Sequence, residues 1–127
     1  MYIIVNMKLE DYLSEIDYTY LGERYLTEAG FIHASTPKQF FKVSTRFMNE
    51  KMKLICLVID TNKLESTIKF EQASDKDYYP HIYGRINVEA VYEVFTYEKD
   101  EKGLFYPLRG MRSILMKVSN FSLQTIR

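Results

Sequence analysis

The sequence predicts one domain of mixed helices and strands, with a single hydrophobic core. Its 127 residues suit a single domain with one hydrophobic core. Two segments have the apolar spacing of amphipathic helices, one after Asn6 and one from residue 37 to about 49. Other segments are short apolar or alternating runs, which are typical of strands. We therefore expect two main helices and a set of strands.

The first elements are predicted from the order of apolar residues. The apolar start of the chain predicts a strand from Tyr2 to Val5, with Asn6 as the cap of the following helix. That helix is predicted from residues at i, i+3, i+4 and i+7, which are Leu9, Tyr12, Leu13 and Ile16. Residues 17–29 have weaker periodicity and are predicted to form a loop with a helical turn.

The middle of the chain predicts the second helix and a central strand. The helix is expected to bury Phe40, Val43 and Phe47. Residues 53–60 follow it and contain the most apolar run of the chain, without polar alternation. Such a strand is expected at the centre of a sheet, covered on both faces. Cys56 lies in this run as a small buried hydrophobe, and a single cysteine excludes an internal disulfide.

The second half of the chain predicts further strands. Residues 67–71 alternate, which places Ile68 and Phe70 on the core face and Glu71 on the polar face. Residues 72–79 are polar and turn-like. A helical turn is predicted at 87–90, a strand at 91–97, and a hairpin connection at 99–103 leading to a strand near 104–108. Periodicity does not decide between strand and helix at 113–118.

Composition restricts the partners that we expect. Lys+Arg 17 and Asp+Glu 17 balance, so no global charge favours nucleic acid or a membrane surface. The longest apolar run is too short for a membrane span, and the N-terminus has no signal-peptide pattern, which predicts a cytoplasmic protein. No P-loop, glycine-rich dinucleotide motif or metal-binding spacing is present. We expect no metal, and monomer and homodimer both remain open.

The chain has two histidines, and each lies in a segment rich in functional residue types. In the first segment, 30–37, strand alternation places His33 and Ser35 on the same face. Thr36 is predicted to cap the next helix, with Pro37 as its first residue and Gln39 in the capping-box position. The exposed amides of that first turn would form an anion site, so this segment could hold a phosphate.

The second histidine segment is 79–84, which holds His81 and Tyr83. Gly84 ends it and permits a tight turn or the close approach of a ligand. Together with Glu71, these residues could orient a sugar phosphate. The histidines would hold phosphate, the carboxylate would accept hydrogen bonds from ribose hydroxyls, and the tyrosine ring would stack on a base.

These segments resemble a bacterial family called domain of unknown function 952. The resemblance is carried by GFIHAST at residues 30–36, by Glu71 at a strand end, and by YPHIYG at 79–84, followed by Ala90 and Val91. It covers about residues 1–108 and leaves 109–127 as a C-terminal extension of the same domain. The family is similar in fold to ADP-ribosyltransferases and RNA 2′-phosphotransferases. This implies a compact α+β domain with a split, mostly antiparallel sheet, two main helices and a cleft for NAD or an ADP-ribosylated group.

The resemblance also implies roles for individual residues. His33, Glu71 and His81 are the expected catalytic residues. His33 would contact the ribose or phosphate, Glu71 would hold a ribose hydroxyl and stabilise an oxocarbenium-like transition state, and Tyr83 would stack on nicotinamide or a base. The expected ligand-binding residues are Ser35, Thr36, Tyr83 and Gly84.

The resulting hypothesis is a nucleotide-handling domain with ADP-ribosyl- or phosphotransferase-like chemistry. NAD would be its substrate, and no resident cofactor is expected. One alternative is a non-catalytic module that binds a small ligand or a protein. A second alternative is purely structural, with His33 and His81 hydrogen-bonded to each other or to the backbone so that they hold two loops together.

Overall fold

The computed structural model describes residues 1–15, 19–47, 51–99 and 105–107, which form both helices and strands. The strands are β1 (Tyr2–Lys8), β2 (Tyr20–Leu21), β3 (Ile32–His33), β4 (Leu54–Asp60), β5 (Thr67–Gln72), β6 (Tyr78–Tyr83), β7 (Ile86–Asn87), β8 (Val91–Lys99) and β9 (Phe105–Pro107). The α-helices are α1 (Leu9–Glu15), α2 (Glu23–Ala29) and α3 (Phe40–Ser44), and 3₁₀ turns cover Thr45–Phe47 and Val88–Ala90. The predicted α+β class is confirmed.

The larger sheet is built around β4. Its order is β1-β4-β8-β9, and every pair in it is antiparallel. All residues of β4 except Asp60 are buried, so the prediction of a central strand covered on both faces is confirmed. Cys56 is fully buried there, and this burial raises the pKa of its thiol. The predicted hairpin partner of β8 is β9, while the connection at 100–104 lies outside the described residues.

A hydrophobic core lies on each face of β4. One includes Leu57 with Ile3 and Val5 of β1, and the other includes Val58 with Ile4 and Phe40. Phe40 is buried as predicted, because α3 packs against the second face. The helix itself is shorter than predicted. It ends at Ser44 and continues as a 3₁₀ turn to Phe47, and the predicted end near residue 49 lies outside the described part.

The sheet is split, as the resemblance implies. A second antiparallel sheet has the order β3-β6-β5, and a small pair joins β2 to β7. Two backbone hydrogen bonds link the larger sheet to the segment after β3. The amide of Ile4 donates to the carbonyl of Ser35 (2.7 Å), and the amide of Ser35 donates to the carbonyl of Ile4 (2.9 Å). These bonds set the spacing between the two sheets where the histidine segment passes.

The predictions for β5 and β6 need two corrections. Phe70 was expected to face the core but is 47% exposed, on the outer strand of the second sheet. The turn predicted at 72–79 is limited to 73–77. Strand pairing continues to Gln72 on one side and begins again at Tyr78 on the other.

The first helix differs from its predicted amphipathic pattern. Strand β1 continues to Lys8, so Asn6 is a strand residue and not a helix cap, and its side chain accepts a hydrogen bond from Tyr97. Leu13, predicted to face the core, is 59% exposed. Asp11 is buried in its place, because its carboxylate accepts hydrogen bonds from Arg24 and Tyr25 at 2.8 Å each. Ile16 lies outside the described residues.

The loop with a helical turn predicted at 17–29 contains more helix than expected, because α2 covers Glu23–Ala29. Gly22 and Gly30 flank this two-turn helix in left-handed conformation, and the amide of Gly30 donates to the carbonyl of Leu26. Seven residues are too few to show a clear helical period, and such a short helix depends on packing for its stability. Tyr25 and Leu26 supply that packing against the first core. The described part therefore contains three α-helices where two were predicted.

Gly22→Ala is expected to destabilise the fold more than Gly30→Ala, as measured by urea unfolding. Both glycines have positive φ, which costs an alanine about 1–2 kcal/mol. A Cβ at Gly22 would also lie 2.4 Å from Cδ1 of Ile32, whose buried side chain has little room to move. A Cβ at Gly30 meets no heavy atom within 4 Å. Equal losses in the two variants would contradict this account.

No helix in residues 1–15, 19–47, 51–99 or 105–107 is long and apolar enough to cross a membrane.

Candidate functional site

A pocket of about 350 Å³ opens where β1, the segment after β3, and the β5–β6 turn come together. It contains both histidines of the chain. Its other polar side chains include a serine, an asparagine and an arginine. The lining residues are Ile4, Asn6, His33, Ala34, Ser35, Val43, Arg46, Phe47, Ala73, Ser74, Tyr79 and His81.

Strand pairing brings the two histidines together. In the antiparallel register of β3 and β6, His33 lies directly opposite His81. Their ring centroids are 5.4 Å apart. The prediction that the two histidine segments meet is therefore confirmed. The pocket at their side distinguishes this pair from the closed, pocketless pair that the structural alternative predicts.

Glu71 holds His81 in a defined orientation. The distance from Nδ1 of His81 to Oε1 of Glu71 is 2.9 Å, and the hydroxyl of Tyr83 donates to the same oxygen. Hydrogen bonds from Tyr83 and His81 lower the pKa of Glu71, so it is an acceptor at neutral pH. Nδ1 of His81 must then carry the proton, and Nε2 keeps a lone pair when the ring is neutral. The same bond to Glu71 raises the pKa of Tyr83.

Phe31 covers the histidine pair with an aromatic ring. It stacks on His81 at a centroid distance of 4.1 Å, and it contacts His33 at 4.7 Å and Tyr83 at 5.5 Å. Tyr83 therefore belongs to an aromatic cluster with Phe31 and the two histidines. Nζ of Lys69 lies 4.8 Å from the Tyr83 ring centroid. Tyr83 is not among the residues that line the pocket, so its predicted stacking on a base stays a prediction.

The pKa of His33 is lowered from its usual value. Partial burial of the ring is the main cause, and electrostatic interactions with His81 and Arg46 add to it. At neutral pH the imidazole is therefore uncharged, with one nitrogen able to donate and the other able to accept a hydrogen bond.

Ser35 contributes a buried hydroxyl to the pocket wall. The residue is 1% exposed, and in the described part of the chain its Oγ is the one buried side-chain oxygen or nitrogen that has no hydrogen-bond partner. A buried polar group without a partner costs about 1–3 kcal/mol. The two backbone bonds to Ile4 fix the position of the Ser35 backbone beside the pocket.

Two predicted ligand-binding residues have other neighbours in the structure. Thr36 and Gln39 make the reciprocal hydrogen bonds of the expected capping box, but α3 begins at Phe40 with Gln39 as its N-cap, so Thr36 and Pro37 lie in the turn before the helix. The amides of Thr36, Gln39 and Phe40 are engaged within this turn, and α3 has only five residues, so the predicted anion site at its start is not formed. Gly84 has φ of 152° and approaches Ser66, since a Cβ there would lie 2.3 Å from the Ser66 hydroxyl. Neither Thr36 nor Gly84 lines the pocket.

Sequence reasoning missed Arg46 and Tyr79 as residues of the pocket. Nη2 of Arg46 donates to Asp75 (3.0 Å) and to the hydroxyl of Tyr79 (3.2 Å). Tyr79 in turn donates to Asp75, and this bond lowers the pKa of Asp75 to about 2. Arg46 follows Val43 by three positions, so helical spacing could have placed both on the same side. The contact with Asp75 spans 29 residues and has no signature in the sequence.

Among the described residues, no group of three or more histidine, cysteine, aspartate or glutamate side chains could hold a metal ion.

A sequence model of the family described as protein of unknown function (DUF952) matches residues 10–94. This range includes both histidine segments and Glu71. The chain belongs to the DUF952 family. No curated protein matches it. The matched range lies within the residues 1–108 over which the resemblance was expected, and the predicted extension at 109–127 lies outside the described residues.

Solved structures of one protein, CC0527 from Caulobacter crescentus, share this DUF952 fold. Its crystal structure has a TM-score of 0.73 and 20% sequence identity, covering 91% of this chain and 99% of that chain. A double mutant gives a TM-score of 0.73 at 19% identity, with the same coverage. The solution NMR structure has a TM-score of 0.66 and 20% sequence identity, covering 81% of this chain and 90% of that chain. Similarity at this identity shows the fold alone, and the likeness to ADP-ribosyltransferases stays a prediction.

Proposed function

We propose that the pocket binds a nucleotide and that His81 acts as a general base in a transfer reaction on it. The observation that carries this proposal is the Glu71–His81 hydrogen bond of 2.9 Å beside a pocket that His81 lines. A carboxylate that holds an imidazole in one tautomer is a recurring arrangement for proton transfer. In this arrangement Glu71 is a positioning residue, whereas the resemblance assigned it to a ribose hydroxyl.

The size and lining of the pocket support a small nucleotide. Its volume of about 350 Å³ lies near the lower end of the range of about 300–1,000 Å³ for ligand pockets. A mononucleotide, or one half of NAD, suits this volume better than an entire dinucleotide. The hydroxyl of Ser35 and the neutral imidazole of His33 offer donors and acceptors to a ribose or base.

With NAD as substrate, the proposed reaction is transfer of the ADP-ribosyl group to an oxygen nucleophile. The glycosidic C–N bond breaks, and nicotinamide leaves as a neutral molecule with the bonding electron pair. The oxygen of water or of an acceptor hydroxyl forms the new C–O bond. Its proton passes to Nε2 of His81 and from there to solvent, which balances the positive charge lost from the nicotinamide ring. No resident cofactor takes part.

The test is a thermal-shift titration of the wild type and His33→Ala with NAD, ADP-ribose, AMP and inorganic phosphate. A ligand present at 100 times its dissociation constant adds about 2.7 kcal/mol of stability. We expect a shift with a nucleotide, and its loss in His33→Ala. Lys38→Ala is the control, because Lys38 is exposed and does not line the pocket. Absence of any shift in the wild type would contradict nucleotide binding.

Measuring turnover distinguishes the proposed enzyme from a module that only binds a nucleotide. Nicotinamide release from NAD and phosphate release from AMP are the two assays. If a nucleotide stabilises the wild type but neither product appears, general-base catalysis is contradicted, and the non-catalytic binding module becomes the better assignment.

A further inference from the structure

Arg46 is the permanent cation of the pocket. The residues that line it include no aspartate or glutamate and no lysine. Burial lowers the pKa of His33 and so favours its neutral form, whereas a guanidinium stays protonated. The Arg46 side chain is 51% exposed, so it lies at the mouth of the pocket, where an incoming ligand can reach it. The described lining therefore favours a ligand with a negative charge at this end.

The guanidinium of Arg46 is held by hydrogen bonds through one of its three nitrogens. Both of its hydrogen bonds, to Asp75 and to the hydroxyl of Tyr79, use Nη2. Its central carbon lies 5.4 Å from the Tyr79 ring centroid, within range of a cation–π contact. A guanidinium has five N–H donors in a planar fork, so these two bonds leave donors for a second, bidentate partner.

Asp75 is itself firmly placed. Its Oδ2 accepts hydrogen bonds from Arg46 (3.0 Å) and from the hydroxyl of Tyr79, and Nζ of Lys42 lies 3.4 Å away. Lys42 also binds Asp77 at 2.9 Å. These bonds tie the β5–β6 turn to the segment that carries Arg46. They reduce the freedom of a long side chain, and such preorganisation lowers the entropic cost of binding an anion.

We infer that Arg46 binds the phosphate group of the nucleotide and that Asp75 and Tyr79 position it for this contact. The inference rests on the proposed nucleotide site and names the residue that selects phosphorylated over unphosphorylated nucleosides. Phosphate oxygens match the planar fork of a guanidinium, and one charged hydrogen bond contributes about 1.5–3 kcal/mol. Ser35 and His81 are buried, whereas Arg46 and His33 are exposed, so the buried pair and His33 are left to the nucleoside.

The experiment compares dissociation constants for AMP, adenosine and inorganic phosphate by isothermal titration calorimetry. In the wild type, AMP is expected to bind more tightly than adenosine. Arg46→Ala is expected to reduce this preference about 10- to 100-fold, while adenosine affinity stays within about twofold. Arg46→Lys keeps the charge without the fork and is expected to restore the preference only in part.

Two variants serve as controls. Lys38→Ala removes a cation that is exposed, does not line the pocket and is not among the bonds that hold Arg46. It is expected to leave the AMP-to-adenosine preference unchanged. Asp75→Asn removes the charge that positions Arg46, and it is expected to reduce the preference less than Arg46→Ala does. A purely structural role for Asp75 would weaken both ligands equally.

The outcomes separate this inference from the proposed function. An unchanged preference in Arg46→Ala overturns the role of Arg46 while nucleotide binding stands. If the wild type binds neither AMP nor adenosine, the proposed function fails. In that case, inorganic phosphate that binds the wild type and not Arg46→Ala still supports Arg46 as an anion-binding residue. If Arg46→Ala still binds phosphate, or if the wild type binds none, the anion-binding role of Arg46 is overturned.

Discussion

Replacing His81 with glutamine is expected to lower kcat for nucleotide turnover by about 10²–10⁴-fold, the usual loss when a general base is removed. KM is expected to change little, because the proton transfer occurs in the transition state. Nicotinamide release from NAD and phosphate release from AMP measure this effect. Glutamine keeps an uncharged polar side chain next to Phe31 and Glu71 in place of the stacked ring.

Glu71→Gln and Tyr83→Phe are the companion variants. Glu71→Gln removes the charge that holds Nδ1–H of His81, and a smaller loss of kcat than in His81→Gln is expected. Tyr83→Phe removes one donor to Glu71 but leaves the bond between Glu71 and His81, and it is expected to have the weakest effect. Wild-type kcat in His81→Gln, with an unchanged melting temperature, would exclude His81 as the base.

The largest loss of stability is expected for Leu57→Ala. Leu57 is fully buried in the middle of β4, between Val5 on one side and Val94 on the other. Deleting a buried leucine side chain costs about 2–5 kcal/mol, because the cavity is only partly refilled. Urea unfolding followed by circular dichroism measures the change.

Leu13→Ala is the matched control for this prediction. The same atoms are removed from a side chain that is 59% exposed on α1, and a change within about 0.5 kcal/mol is expected. A loss in Leu13→Ala similar to that in Leu57→Ala would mean that α1 buries Leu13 after all, as the apolar spacing of the sequence predicted.

Some features could be predicted because they depend on neighbours along the chain. The unbroken apolar run at 54–59 requires cover on both faces wherever it lies, and β4 is indeed central. The capping box of Thr36 and Gln39 spans three residues, so it formed even though α3 is shorter than expected. Two histidines in polar, turn-flanked segments pointed to the site before the pairing of β3 with β6 was known.

Other features could not be predicted because distant partners determine them. Apolar spacing placed Leu13 in the core, but Arg24 and Tyr25 bury Asp11 there instead. A polar serine on a strand face gave no sign that it would be buried without a partner, since that depends on the bridge between Ser35 and Ile4.

Local order along the chain therefore predicted the mixture of helices and strands, the central strand and the two histidine segments that meet at the pocket. Which other side chains join the histidines there depended on contacts across the sheets. Glu71 belongs with His81 because β5 and β6 pair in one register, and Arg46 belongs to the pocket because Asp75 and Tyr79 hold it there. Such contacts form only once the chain has folded, because residues far apart in sequence must first be brought together.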